Sequence, residues 1–114
     1  MLLEFSELDD GLRLIKLSGR LDIIGTGEIE TKFTGYCAVN NGRVLVDMSG
    51  VDFLASIGIR LLVLNAKSVA SRGGRMFILN PTPGVKGVLE ISGIPPIIPM
   101  YDSLESARSA FPAA

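Results

Sequence analysis

Few side chains in this sequence could do chemistry. It contains no histidine and one cysteine, Cys37. Metal sites and cysteine or serine hydrolases rely on these residue types, so we expect neither a bound metal nor catalysis. Cys37 falls within an apolar pattern and is interpreted as a core thiol. The remaining candidate is the hydroxyl of Ser56, in the stretch VDFLASIGIRLLVLNAK at 51–67, where a buried strand is expected to end and a helix to begin.

A serine at the start of a helix is usually an N-cap. Its oxygen then accepts a hydrogen bond from the N–H groups of the first turn. Ser56 could instead lie at the edge of a docking surface formed by the helix that follows it. The residue pattern leaves both interpretations of Ser56 open.

The helix after Ser56 carries apolar residues on two sides. Ile57, Leu61 and Leu64 follow one another at i, i+4 and i+7, with Arg60 beside them. This outward stripe either packs under a neighbouring helix or forms an exposed surface that docks a partner or a second copy of the chain. The opposite side forms a predicted core-facing stripe: Ile59, Leu62, Val63, Ala66, Val69 and Ala70.

The elements before this helix must place it on a sheet. Strands are predicted at 2–8 and 12–17, joined by the turn Asp9-Asp10-Gly11. The residues SGRLD then lead away from the sheet, and a first helix begins with Thr26 as its N-cap. A strand buried on both faces is predicted at 43–48.

The elements after the second helix, 56–73, continue the alternation. A buried strand is predicted at 75–80, and a third helix has Thr82 as N-cap and Pro83 in its first position. A short strand follows within PPIIPMY, and Asp102 with Glu105 predicts a capping box for a final helix. The fold class is therefore α/β: one domain over 1–114, order ββαβαβαβα, with about five strands in a mixed, mostly parallel sheet and about four helices.

Composition argues against several partners and ligands. The 11 basic and 12 acidic residues give a net charge of −1, so direct nucleic-acid binding is not expected. The start MLLEFSELDD does not fit a signal peptide, and no apolar run is long enough to cross a bilayer, so we expect a cytoplasmic protein without membrane insertion. Glycine patterns that cradle phosphates are missing, so no cofactor is expected.

Three segments together resemble the STAS domain, the sulfate-transporter and anti-sigma-factor-antagonist family. VLVDMSGVDFLASIGIRLL at 44–62 is similar to its central strand, hydrophobic turn and second helix. LSGRLD at 17–22 resembles its Gly-x-Leu-Asp motif, and SRGGRMFILNPTPGVKGVLEISGI at 71–94 resembles its Gly-Gly turn, fourth strand and third helix. The resemblance covers about residues 5–111.

The resemblance implies a non-enzymatic partner-switching protein. In that family an antagonist binds an anti-sigma factor with serine kinase activity, the kinase phosphorylates the antagonist and ends the complex, and a phosphatase resets it. Ser56 matches the phospho-acceptor, Gly58 the following glycine and Asp22 an aspartate near the site. Asp47 matches the aspartate at the end of the central strand. Asp22 and Asp47 also fit a structural role as turn caps.

The sequence departs from the family at three positions around Ser56. Ala55 replaces the acid before the phospho-acceptor, Ile57 replaces a second serine, and Arg60 stands where a small residue is common. An accessory subunit of a lipid or anion transporter, binding without phosphorylation, is therefore an alternative. The predicted partner-binding set is Asp22, Ala55, Ile57, Gly58, Arg60, Leu61 and Leu64.

Overall fold

Nine elements alternate along the chain in the computed structural model, which describes residues 1–112. The predicted order ββαβαβαβα is confirmed, and the last two residues of the predicted domain, 113 and 114, lie outside the described residues. The elements are β1 (Leu2–Glu7), β2 (Arg13–Leu21), α1 (Ile23–Cys37), β3 (Arg43–Leu54), α2 (Ser56–Ser71), β4 (Arg75–Leu79), α3 (Pro83–Ile91), β5 (Met100–Tyr101) and α4 (Leu104–Ala110).

The five strands form one mixed sheet, as predicted, and their order across the sheet is β1-β2-β3-β4-β5. β1 runs antiparallel to β2, and all later neighbours are parallel. The hairpin turns at Gly11, whose φ of 80° suits a residue without a Cβ. Parallel strands need crossover connections, and the helices supply them.

β2 and β3 are longer than the sequence predicts. The prediction that SGRLD leaves the sheet is wrong, because 18–21 remain in β2 and pair with β3 past register shifts. β3 likewise runs on to Leu54. Ser18, Gly19 and Gly50 are poor strand formers in isolation, but the ladder between the two strands supplies their backbone hydrogen bonds.

The sheet is covered on both faces. α1, α2 and α3 contribute Phe33, Leu62 and Leu89 to the main core, all of which are fully or nearly fully buried. On the other face, Phe111 at the end of α4 stacks on Phe77 of β4 with ring centroids 4.3 Å apart. The main core holds α1 and α2 in place along the parallel strands.

Local capping differs from prediction at two helices. α1 begins at Ile23 and is capped by Asp22, so Thr26 is a buried helical residue and its predicted N-cap role is wrong. α4 is capped by Ser103, whose hydroxyl accepts from the N–H of Ser106, so the capping box at 102–105 is also wrong. Thr82 does precede α3 as predicted, although its hydroxyl donates to a β3 carbonyl.

The buried face of α2 is rotated from the predicted core-facing stripe. Leu61 is only 6% exposed and belongs to the same buried cluster as Ile29 and Phe33 of α1. Next to it, Asn65 is buried and its amide donates to Thr34 of α1 at 3.4 Å. Packing against α1 therefore buries Leu61, which the sequence analysis assigns to the outward stripe. Conversely, the stripe residues Ile59 and Val63 are half-buried and Ala70 is exposed.

None of the helices within residues 1–112 is both long enough and apolar enough to cross a membrane.

Candidate functional site

Two helices begin side by side at the carboxyl ends of β2 and β3. Leu21 and Leu54, the last residues of these strands, are paired in the sheet. The N–H of Ala55 donates to the carbonyl of Leu21 at 3.0 Å. Asp22 and Ala55, the N-cap residues of α1 and α2, are therefore neighbours. This juxtaposition places the first turns of both helices at one edge of the sheet.

Gly58 allows α2 to lie close against the end of β2. A Cβ at this position would come within 2.9 Å of Leu54 Cδ1, 3.0 Å of Leu21 Cβ and 3.1 Å of the Leu21 carbonyl oxygen. Gly58 is buried in this chain, and its place in the partner-binding set stays a prediction. It positions the two residues before it, which are exposed.

Ser56 is the first residue of α2, and its side chain is exposed. The N-cap is Ala55, and no side chain caps the helix, so the interpretation of Ser56 as an N-cap is wrong. A small, half-buried residue at position 55 leaves the hydroxyl of Ser56 accessible from solvent. This hydroxyl is thus placed where a modifying enzyme could reach it.

The outward stripe of α2 is only partly exposed. Ile57 is 41% and Leu64 55% exposed, in agreement with the prediction. The prediction that Leu61 faces solvent is wrong, because α1 packs over that side of the helix. The alternative in which the stripe packs under a neighbouring helix is therefore correct for Leu61.

The sequence patterns did not predict three exposed apolar residues near Ser56. Ile23 and Ile24, in the first turn of α1, are each 75% exposed, and Phe53 near the end of β3 is 40% exposed. The apolar pair directly after Asp22 is the signal that could have found them, once the helix is known to begin there. We call Ile23, Ile24, Phe53, Ile57 and Leu64 the apolar rim of Ser56.

Asp22 caps α1 and pairs with Arg20 at the end of β2. Its carboxylate accepts from the N–H of Gly25 at 2.8 Å and lies 3.5 Å from the Arg20 guanidinium. The Gly25 N–H above all, and then Arg20, hold the pKa of Asp22 below its ordinary value against the opposing effect of desolvation. The Arg20 guanidinium also lies 4.2 Å from the centre of the Phe53 ring. Asp22 thus has a structural role beside any role in binding.

The other charged candidates, Arg60 and Asp47, lie on different elements from Asp22. Arg60 is exposed on α2, one helical turn beyond Ser56. Asp47 lies within β3, which continues past it to Leu54, so it does not stand at the strand end as predicted. Its carboxylate accepts from the N–H of Ser49 at 2.9 Å, which supports the structural interpretation.

A family model and a curated relative each match most of the sequence. The family model of the STAS domain matches residues 6–107. A putative anti-sigma factor antagonist of Bordetella bronchiseptica, BtrV, is 30% identical over 105 residues, which are 92% of this chain and 90% of the relative.

Solved structures give the same result for the fold. An anti-sigma-factor antagonist (STAS) domain protein from Planctomyces limnophilus has a TM-score of 0.84 at 22% identity, with coverage of 95% of this chain and 96% of the other. The anti-sigma factor antagonist SpoIIAA in its unphosphorylated form has a TM-score of 0.75 at 22% identity, with 95% of both chains covered.

Proposed function

Because the chain belongs to the STAS domain family, we propose that it is an anti-sigma factor antagonist that works by partner switching. In this proposal the unphosphorylated protein binds an anti-sigma factor with serine kinase activity. Phosphorylation of Ser56 ends the complex, and a phosphatase restores binding. The observation that carries the proposal is the exposed Ser56 hydroxyl in the first turn of α2, next to the exposed Ile57.

The apolar rim supports a protein partner. Its five side chains come from α1, α2 and β3, and each is at least 40% exposed. Grouped exposed aliphatic and aromatic side chains favour a docking surface, because removing such apolar area from water lowers the free energy. Asp22, Ala55 and Arg60 stand among or beside these side chains and complete the proposed interface. Gly58 contributes indirectly, by placing Ser56 and Ile57.

A phosphate on Ser56 would act on this surface by local electrostatics. It adds about −1.5 to −2 charges at neutral pH. The first turn of a helix tolerates an anion, so the fold should survive modification. An apolar interface closed over that charge loses about 2–5 kcal/mol, or roughly 30- to 4000-fold in affinity. No change of fold is required for the switch.

The names of relatives support the same assignment. BtrV is named a putative anti-sigma factor antagonist, and it covers nearly the whole of this chain. The acid that precedes the phospho-acceptor in the family is Ala55 here. The partner kinase of this protein must therefore recognise Ser56 without that carboxylate, which points to a divergent kinase.

The test is capture of partners from the source cell with the unmodified protein, Ser56→Ala and Ser56→Asp. We expect the first two to retain an ATP-dependent serine kinase that phosphorylates the unmodified protein at Ser56. We expect Ser56→Asp to lose at least about 30-fold in affinity for that kinase, with a nearly unchanged melting temperature. Ser109→Asp, at an exposed serine of α4, is the matched control and should bind normally.

Two outcomes would contradict the proposal. Normal binding of the kinase by Ser56→Asp would exclude a phosphate-controlled interface at this position. Recovery of a membrane transport complex without a kinase would favour the transporter-subunit alternative.

A further inference from the structure

Arg60 lies on the same side of α2 as Ser56. Arg60 follows Ser56 by four positions, so their Cα atoms are offset by about 40° around the helix and about 6 Å along it. Helical side chains lean toward the N-terminus, so a long side chain at i+4 covers the turn that contains residue i. The guanidinium of Arg60 can therefore reach a group attached to the Ser56 oxygen.

Arg60 is also the cation that remains available at this end of the molecule. Arg20 is held by the Asp22 carboxylate at 3.5 Å and lies over the Phe53 ring. Arg60 is exposed and, within residues 1–112, takes part in no ion pair. Ala55 places no carboxylate directly before Ser56 that could compete for Arg60. A new anion on Ser56 would meet Arg60 without displacing an existing partner.

We propose that Arg60 pairs with the phosphate on Ser56 and thereby holds the phosphorylated state. The inference rests on the proposed function, since that function supplies the phosphate. Pairs of opposite charge at i and i+4 stabilise a helix, and a guanidinium matches phosphate geometry with two N–H donors. The protein then presents a different charge pattern to its partner in the two states.

The experiment measures the ionisation of the phosphate directly. Phosphoserine is incorporated at position 56 during translation, and its second ionisation is followed by phosphorus NMR as a function of pH. A nearby cation favours the dianion, so the midpoint should lie about 0.5 pH unit lower in the Arg60 protein than in Arg60→Gln. Arg60→Lys should give an intermediate midpoint, because it keeps the charge but loses the two-donor geometry.

The matched control is Lys67→Gln. Lys67 is an exposed cation on α2, but it is about 16 Å along the helix from Ser56, beyond the screening length at physiological salt. Its removal should leave the midpoint unchanged. The other charges around Ser56, which are Arg20, Asp22 and Asp52, are the same in all variants and cancel from the comparison.

Equal midpoints in the Arg60 and Arg60→Gln proteins, or an equal change with Lys67→Gln, would overturn the inference. The measurement uses neither kinase nor partner, so its failure is distinct from failure of the proposed function. A lower midpoint together with normal partner binding by Ser56→Asp would support the pairing and reject the partner switch. Circular dichroism of each variant establishes that α2 is intact, which is expected since Arg60 is exposed.

Discussion

The replacement of Gly58 by alanine tests whether α2 is held against the end of β2. The added Cβ would lie 2.9 Å from Leu54 Cδ1, 3.0 Å from Leu21 Cβ and 3.1 Å from the Leu21 carbonyl oxygen. The Leu54 methyl group can rotate away, but the two Leu21 atoms belong to a buried, paired strand end. The helix must therefore shift away from the sheet.

The magnitude follows from two opposing effects. Overpacking of a core position costs about 1–3 kcal/mol. Replacement of glycine by alanine within a helix stabilises the folded state by about 0.5–1 kcal/mol. We expect a net loss of roughly 1–2 kcal/mol in the free energy of unfolding, or about 4–10 °C in melting temperature for a domain of this size.

Thermal and urea unfolding followed by circular dichroism would measure the effect. Gly27→Ala is the matched control, because Gly27 is an exposed residue of α1 whose added Cβ meets no atom within 4 Å. That variant should be more stable by about 0.5–1 kcal/mol. The reasoning is refuted if the two variants move the melting temperature in the same direction. Gly58→Ala should also weaken partner binding, since the shift displaces Ser56 and Ile57.

Two further predictions concern titratable groups. Asp22→Ala should lower the melting temperature by a few degrees at pH 7. Because the pKa of Asp22 is lowered in the folded state, its stabilisation is present above about pH 4 and disappears as the pH falls through that lowered pKa. The difference in melting temperature between the two proteins should therefore be smaller at pH 2.5 than at pH 7, and a constant difference would contradict the assignment. Burial raises the pKa of the Cys37 thiol to about 12. A thiol reagent at pH 8 should therefore modify the folded protein at least about 100-fold more slowly than the urea-unfolded protein. Modification rates within tenfold of each other would show that Cys37 is accessible in the folded protein.

Much of the fold could be predicted from local patterns. Apolar runs at 43–48 and 75–80 identify buried strands. The first lies within β3, and the second exceeds β4 by one residue at its end. Pro83 after Thr82 sets the start of α3 because proline is favoured in the first helical turn. These features depend on neighbours in sequence, so the sequence contains the necessary information.

The start of α1 could not be predicted in the same way. Asp22 and Thr26 both satisfy the rules for an N-cap, and only the pairing of 18–21 with β3 selects Asp22. For the same reason the exposure of Ile23 and Ile24 on α1 was not predicted, because residues before a predicted helix are treated as a loop. Part of the candidate site thus depended on a strand pairing between residues more than 30 positions apart.

The sequence by itself determined the alternating fold, the serine at the start of a helix and the presence of apolar residues on two sides of α2. Only the tertiary structure decided that Leu61 is covered while Ile57 and Leu64 remain exposed. Periodicity states which residues share a side of a helix, but it does not state which side a neighbouring helix covers. Here α1 packs beside Leu61 and Asn65, and that contact between distant segments decides which apolar residues surround Ser56.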